Sequence, residues 1–394
     1  IFRDYFYVSN LHGIDWEGLK VKYSKLVPYV SHRADLDYIF GEIIAESNVG
    51  HAYDNYGDFE RVKRIDNGLL GAEFKADMNS GRYIISKIYK GENWDESRRS
   101  PLTEQGINIK EGDFIIKIDG QNVTTADNPY KFLENEAEKF VEVTVNSTPS
   151  ENGAKTYTVK TIKSELNLFY LDWVEQRRAM VDKLSGGKIG YIHVPNTAVE
   201  GNYELYRGMY EFHNKEALII DDRYNGGGFI PAYMIDMLNR KTLTYWHRNQ
   251  LNPMISPAVA HDGPKAMLIN GYSSSGGDAF PYYFKKKGLG TLIGTRTWGG
   301  LVGIQGARKF VDGGSFNVPQ FGVFDENGEW IIEGVGVYPD IEVVDEPHLT
   351  AKGIDPGIEK AVEVLLKELE KNPVKKPKTP VAPDRSKWIE KDIK

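Results

Sequence analysis

Short apolar runs alternating with helical patterns constrain the second half of this chain more than any other feature. Strands are expected at Lys188 to Val194, Ala217 to Asp222, Lys265 to Asn270 and Thr291 to Gly294, with helical stretches at Pro231 to Asn239 and Gly277 to Lys287. Strand–helix–strand alternation implies an α/β domain. Asp355-Pro356 then opens a helix, by cap and N1 proline, that continues through Val362, Leu365, Leu366 and Leu369.

Upstream the pattern changes twice. From Gly68 to about Lys163 the apolar runs Tyr83 to Ile88, Phe114 to Ile118 and Val141 to Val145 are separated by Gly, Asn and Asp turns, which indicates a small β-rich domain. Asp119-Gly120 marks a hairpin-like connection, and Asn128 to Glu138 reads as its helix. Before Gly68 there is little strand signal besides Phe6 to Val8. Leu36, Ile39, Phe40, Ile43 and Ile44 share one helical face there, with Asp35 as N-cap and Gly50 near the exit. This small, mainly helical unit is expected to end at the polar stretch Tyr56 to Asp66. At the other end, Lys371 to Lys394 holds four prolines and eight Lys or Arg against three acids. It reads as an extended, disordered end.

Composition narrows the function classes. The 394 residues, 40% hydrophobic and 27% charged, suit two to three globular domains. Cysteine is absent, so disulfides, thiolate zinc sites and cysteine nucleophiles are excluded, and a hydrolytic nucleophile must be an oxygen. The net charge is −7 and no basic run is interleaved with aromatics, so nucleic acid is not an expected partner. No stretch of about 18 apolar residues provides a membrane span. The chain opens at Ile1 without methionine or a charged-then-apolar leader, and is expected to be a processed product or a piece of something larger.

Two glycine clusters follow strands of the α/β region. The first runs Asp221-Asp-Arg-Tyr-Asn-Gly226-Gly227-Gly228, the second Ser273-Ser-Ser275-Gly276-Gly277-Asp278. Each sets backbone amides at a strand-to-helix junction, where free N–H groups and the helix dipole favour developing negative charge. For either cluster taken singly a tight turn is the commoner reason for such glycines, and a phosphate cradle is a third reading, although neither cluster has the Gly-Lys-Ser/Thr ending of a P-loop. Two clusters together, one with a serine-rich elbow, favour a hydrolase, with Ser275 best placed as nucleophile. A serine needs a base within hydrogen-bond reach. His12, His32, His213, His247, His261 and His348 lie in polar or irregular surroundings, and His193 lies in a strand, the usual setting of a core histidine. His51, between Gly50 and Ala52 just past a well-formed helix, is held but not crowded.

The strings Asn48-Val-Gly-His51-Ala-Tyr, Asp222-Arg-Tyr-Asn-Gly-Gly-Gly228, Ser274-Ser-Gly-Gly-Asp278 and Glu333-Gly-Val-Gly-Val-Tyr-Pro-Asp340, in that order, closely resemble the protease half of the tricorn family. These are serine peptidases related to the C-terminal processing peptidases. The resemblance implies a helical domain carrying the catalytic histidine (1–66), a PDZ domain (67–165), a ClpP/crotonase-like α/β peptidase domain (166–370) and the tail (371–394). It implies Ser275 as nucleophile, His51 as general base and Glu333 as the residue orienting the histidine. Oxyanion amides are expected from Gly227 first, then Gly226, together with Gly276. Gly68, Leu69, Leu70 and Gly71 would form the peptide-terminus loop of the PDZ domain, which adds an extended peptide to a sheet edge.

Three departures refine the expectation. The processing peptidases use a lysine after a Thr-aromatic-Gly string, but Thr297-Trp-Gly299 is followed here by Gly300 and Leu301, so the histidine is needed. Archaeal tricorn has a serine just before its histidine, linking it to the glutamate; with Gly50 in that place, the link runs through water or another side chain. An aspartate follows the nucleophile in tricorn and attracts basic side chains, whereas Gly276 stands here, which implies a preference for neutral or apolar side chains. The resemblance further implies peptide substrates, no metal or organic cofactor, a hexamer of copies, and β-propellers encoded upstream. It points to the cytoplasm, or to the periplasm if a signal peptide lies upstream. The competing readings are an inactive PDZ-containing peptide-binding scaffold and a crotonase-like acyl transfer on thioesters.

Overall fold

The computed structural model describes residues 1–55, 57–59, 62–306, 308–375 and 377–384. They fall into two compact units, one formed by Ile1–Phe59 with Met180–Lys394 and the other by Glu60–Ala179. The first residues therefore do not stand as a separate helical domain. Their helices Trp16–Ser24 and Arg33–Glu46 accompany a small core of Phe2, Phe6 and Leu11 that is completed by Val318, with Phe316 packed against it. The strand Tyr53–Asn55 pairs antiparallel with Ser315–Asn317. A segment of roughly 60 residues buries too small a share of its surface to be comfortably stable alone, and here it borrows apolar area from the later chain. Its second helix is capped at His32 rather than Asp35. The Asp35 carboxylate instead reaches back to the amides of Ser31 and His32, at 2.9 and 3.3 Å.

In the same unit lies a five-stranded sheet, in the order Ile341–Glu342, Gly290–Gly294, Lys265–Ile269, Ala217–Asp221 and Ile189–His193, every neighbouring pair parallel. The three strands Ile189–His193, Ala217–Asp221 and Lys265–Ile269 are buried along their whole length, as parallel strands covered on both faces require. Leu218, Ile220, Met267, Ile269 and Leu292 share one core cluster with Leu205, Met209, Met234, Phe280 and Phe284 of the crossover helices. Consecutive strand order with right-handed crossovers places those helices on one face. Because side chains alternate, Ile219, Leu268 and Ile293 point to the other face, against which helix Pro356–Lys371 packs. That helix ends at Asn372, and of the tail after it residue 376 and residues 385–394 lie outside the described set.

The Glu60–Ala179 unit is antiparallel. Its strands run Ala72–Asp77, Arg82–Ile88, Phe114–Ile118, Phe140–Asn146 and Lys155–Lys160 in spatial order. Gln121–Asn122 closes a two-residue hairpin on Phe114–Ile118 through Asp119 and Gly120, whose φ values of 46° and 72° are the left-handed pair such a turn requires. The helix expected over Asn128 to Glu138 is only a single 3₁₀ stretch, Pro129–Leu133, begun by the Asn128 side chain accepting the Tyr130 amide. Glu134 ends it by turning to extended backbone (φ −63°, ψ 130°), and Asn135 and Glu138 beyond it, both at φ 59°, do not resume helical geometry.

Candidate active site

Two turns at the carboxyl ends of neighbouring sheet strands form the floor of the site, the usual location of a ligand crevice in an open parallel sheet. After Ala217–Asp221 the chain is anchored by Arg223, whose buried guanidinium bonds Asp221 at 2.7 Å, Asp355 at 3.0 Å and Asp345 at 3.2 Å. Asn225 then spans the turn, its Nδ2 donating to Val194 O at 3.0 Å and its Oδ1 accepting from Gly227 N at 2.8 Å. Gly226 N donates to Pro195 O at 3.0 Å. The amides expected first for an oxyanion, Gly227 and Gly226, are thus already engaged in holding the turn. Among the described residues no acceptor is recorded for the amides of Gly228 and Gly276. A Cβ added to Gly276 would meet Gly228 N at 2.8 Å, so the two glycines adjoin.

Ser275 caps helix Gly276–Lys286 with φ 57° and ψ −115°, a left-handed elbow that a non-glycine residue adopts at a cost of about 1–3 kcal/mol. Asp278 holds it there. The Asp278 carboxylate accepts from Ser275 N at 2.8 Å, from Gly299 N at 2.7 Å and from the Thr297 hydroxyl. Burial raises its pKa, and these donors offset the rise. One carboxylate therefore ties the serine elbow to the 297–300 loop.

That loop meets the histidine. Trp298, whose amide donates to Ser273 O at 3.0 Å, sets its ring edge-on to His51 with centroids 5.4 Å apart. His51 lies in the left-handed region at φ 55°. Its Nδ1 pairs with the Tyr53 hydroxyl at 2.9 Å, and its Nε2 is buried with no partner among the described residues. Burial lowers the imidazole pKa, so the ring is held neutral, with a lone pair free to take a proton.

Glu333 holds the backbone rather than the imidazole. Its Oε1 accepts from Gly50 N at 2.6 Å, and Oε2 is buried without a partner among the described residues. Burial raises its pKa, opposed by the amides of Gly50 and Leu301, with the charge of Asp278 adding to the rise. Gly50 is tightly enclosed, since a Cβ there would lie 3.0 Å from Gly300 Cα and 3.3 Å from Glu333 Oε1.

Thr197, Asp278, Trp298 and Tyr53 were not singled out from sequence. Asp278 and Tyr53 stand inside the quoted strings, three residues after Ser275 and two after His51, but only folding shows what they touch. The buried Thr197 hydroxyl occupies the space that a side chain at 276 would need. Among the described residues, no group of three His, Asp or Glu side chains is arranged to hold a metal ion, and no helix is long and apolar enough to cross a membrane.

In the other unit the expected peptide-terminus loop is internally occupied. Gly68 N donates to Leu133 O and Leu69 N to Ile162 O, each at 2.8 Å, and Leu70 is buried. Gly71 N and Ala72 N both donate to the Glu165 carboxylate, at 2.7 and 3.3 Å.

A five-stranded parallel sheet bearing a strained serine elbow, together with a separate antiparallel unit, defines a peptidase-type α/β domain joined to a PDZ domain. Residues 188–343 match Peptidase family S41, residues 68–164 the Tricorn protease PDZ domain and residues 1–45 the Tricorn protease C1 domain. The chain belongs to the tricorn protease family. It is 36% identical to the putative tricorn-like protease C-terminal subunit of Sulfurisphaera tokodaii over 90% of its own length and 41% of that protein. Identity to the tricorn protease of Thermoplasma acidophilum is 34%, over 90% of this chain and 32% of the relative. The crystal structure of the tricorn protease superposes with a TM-score of 0.87 at 32% identity, covering 94% of this chain and 36% of that one. The chain thus spans less than half the length of these relatives.

Proposed function

We propose that this chain is a serine peptidase that hydrolyses peptide bonds through an acyl-enzyme. His51 Nε2 takes the proton of the Ser275 hydroxyl as Oγ attacks the carbonyl carbon of the scissile amide. The carbonyl oxygen becomes the oxyanion and is met by the free amides of Gly276 and Gly228. His51 then returns the proton to the departing amine, and water, activated by the same ring, releases the acyl group. The observation that carries this reading is the buried His51 Nε2, without a partner among the described residues, in a contiguous set of contacts with a serine on a left-handed elbow beside two amides that no described residue engages. Glu333 supports the base through the Gly50 backbone.

Substrates would be peptides or unfolded chains, cut after neutral or apolar side chains in preference to basic ones. The support is that position 276, next to the nucleophile in the chain, is glycine and carries no carboxylate, while the Asp278 carboxylate is engaged by the Ser275 and Gly299 amides and the Thr297 hydroxyl. Assembly into a hexamer belongs to the same proposal. Fluorogenic peptides that differ only in the residue before the scissile bond test it, with turnover expected for Leu and Phe to exceed that for Arg. Faster cleavage after Arg would contradict the specificity, and no turnover of any peptide would contradict the activity.

A further inference from the structure

Resting on the hydrolase reading of the same site, we propose that the Tyr53 hydroxyl is the positioning partner of His51, fixing which ring nitrogen carries the proton and where the other points. A general base at Nε2 must keep its proton on Nδ1, and that tautomer persists only if Nδ1–H has an acceptor. In this protein the atom at Nδ1 is the phenolic oxygen of Tyr53, 2.9 Å away. The glutamate expected to do this work does not reach the ring: Glu333 Oε1 accepts the Gly50 amide at 2.6 Å, and Oε2 bonds no partner among the described residues.

The local chain geometry makes the contact a built one. Left-handed backbone at His51 turns the chain into the strand Tyr53–Asn55, whose pairing of Tyr53 with Asn317 fixes the tyrosine backbone. The Tyr53 ring also lies edge-on to the imidazole, with centroids 5.8 Å apart, and Trp298 meets the imidazole in the same manner at 5.4 Å. The base is therefore mounted at three points: backbone by Glu333, Nδ1 by Tyr53, ring by two aromatic neighbours. Tyr53 carries no charge with which to stabilise an imidazolium. Burial, and next the nearby charge of Glu333, raise its pKa and keep the phenol neutral. Its contribution is therefore orientation and tautomer choice, smaller than that of a carboxylate partner, whose loss costs about 10⁴-fold in a chymotrypsin-type triad.

The test compares the full chain with its Tyr53→Phe variant in three measurements: peptide turnover, the rate at which a fluorophosphonate modifies Ser275, and the ¹⁵N shifts of the His51 ring. Tyr53→Phe is expected to lower kcat by about 10- to 100-fold with KM changed less than about threefold. The labelling rate should fall in parallel, and the ¹⁵N shifts should move from one tautomer toward a mixture. Unchanged kcat and an unchanged tautomer in a variant that still labels Ser275 would overturn the proposal. Absence of labelling in the unmodified chain would instead overturn the hydrolase reading, so the two failures are distinct. If Tyr53→Phe does not fold, a 3-fluorotyrosine at position 53, assayed below the pKa of its phenol, decides: the ring is kept and stays neutral while the oxygen becomes a weaker acceptor. A several-fold fall in kcat supports the proposal, and no fall overturns it.

Discussion

A Cβ on residue 276 would overlap the Thr197 hydroxyl oxygen, in the loop after strand Ile189–His193, and the Gly228 carbonyl oxygen, in the turn after strand Ala217–Asp221. Glycine is needed there for packing, and in the proposed mechanism its amide meets the oxyanion. Gly276→Ala should therefore lower kcat/KM for a Leu peptide by about 100-fold or more, the usual cost of losing an oxyanion donor. Retained activity would show that the turn yields freely. His51 supplies a pH prediction. Its pKa lies below the ordinary 6.5 because the ring is buried. In the proposed mechanism the neutral form is the base, so activity should be present above the folded pKa and be lost as pH falls through it. The acid limb of the kcat/KM profile should accordingly have its midpoint below pH 6.5. A midpoint above 6.5 would mean that a charged partner stabilises the imidazolium.

Among the elements, sheet strands were readable where apolar runs were continuous, and loops were misread where the signal was chemical rather than periodic. Phe114–Ile118 has the expected bounds, and Ala217–Asp221 lies within its expected run. The helix within Asn128 to Glu138 is shorter than expected because Glu134 turns to extended backbone, and Asn135 and Glu138 beyond it take left-handed backbone. The oxyanion expectation had a similar limit. Three consecutive glycines are equivalent in sequence, and only the Asn225 side chain and Pro195 carbonyl, by engaging the amides of Gly227 and Gly226, distinguish them from Gly228. The peptide-terminus loop shows the same limit, since nothing in Gly68-Leu-Leu-Gly71 reveals that Glu165, 94 residues after Gly71, takes the Gly71 and Ala72 amides. If the loop takes a peptide terminus as expected, the peptide carboxylate has to displace that side chain, which lowers apparent affinity by the fraction of time the loop is open. A peptide with a free C-terminus should bind the Glu165→Ala chain at least about tenfold tighter than the unmodified chain by fluorescence anisotropy, a difference of ~1.4 kcal/mol. Amidation of the peptide should abolish the gain. Equal affinity for both chains would show that the loop is not the terminus site.

For the whole molecule, the order of regions was legible and their grouping was not. Sequence separates a histidine-bearing helical stretch from a serine-bearing α/β stretch, because the β-rich segment lies between them. The structure unites them across that insertion through the pairing of Tyr53–Asn55 with Ser315–Asn317 and the shared core of Phe2, Phe6, Leu11 and Val318. His51 is thereby brought to Trp298, and through Asp278 the same loop holds Ser275. The central claim is that these distant residues act on one bond. Peptide mass spectrometry of the chain treated with a fluorophosphonate tests it most directly. The expected result is one adduct, on Ser275, whose formation slows by orders of magnitude in His51→Ala although that variant remains folded. An adduct on another serine, or labelling of Ser275 at an undiminished rate without His51, would contradict the account.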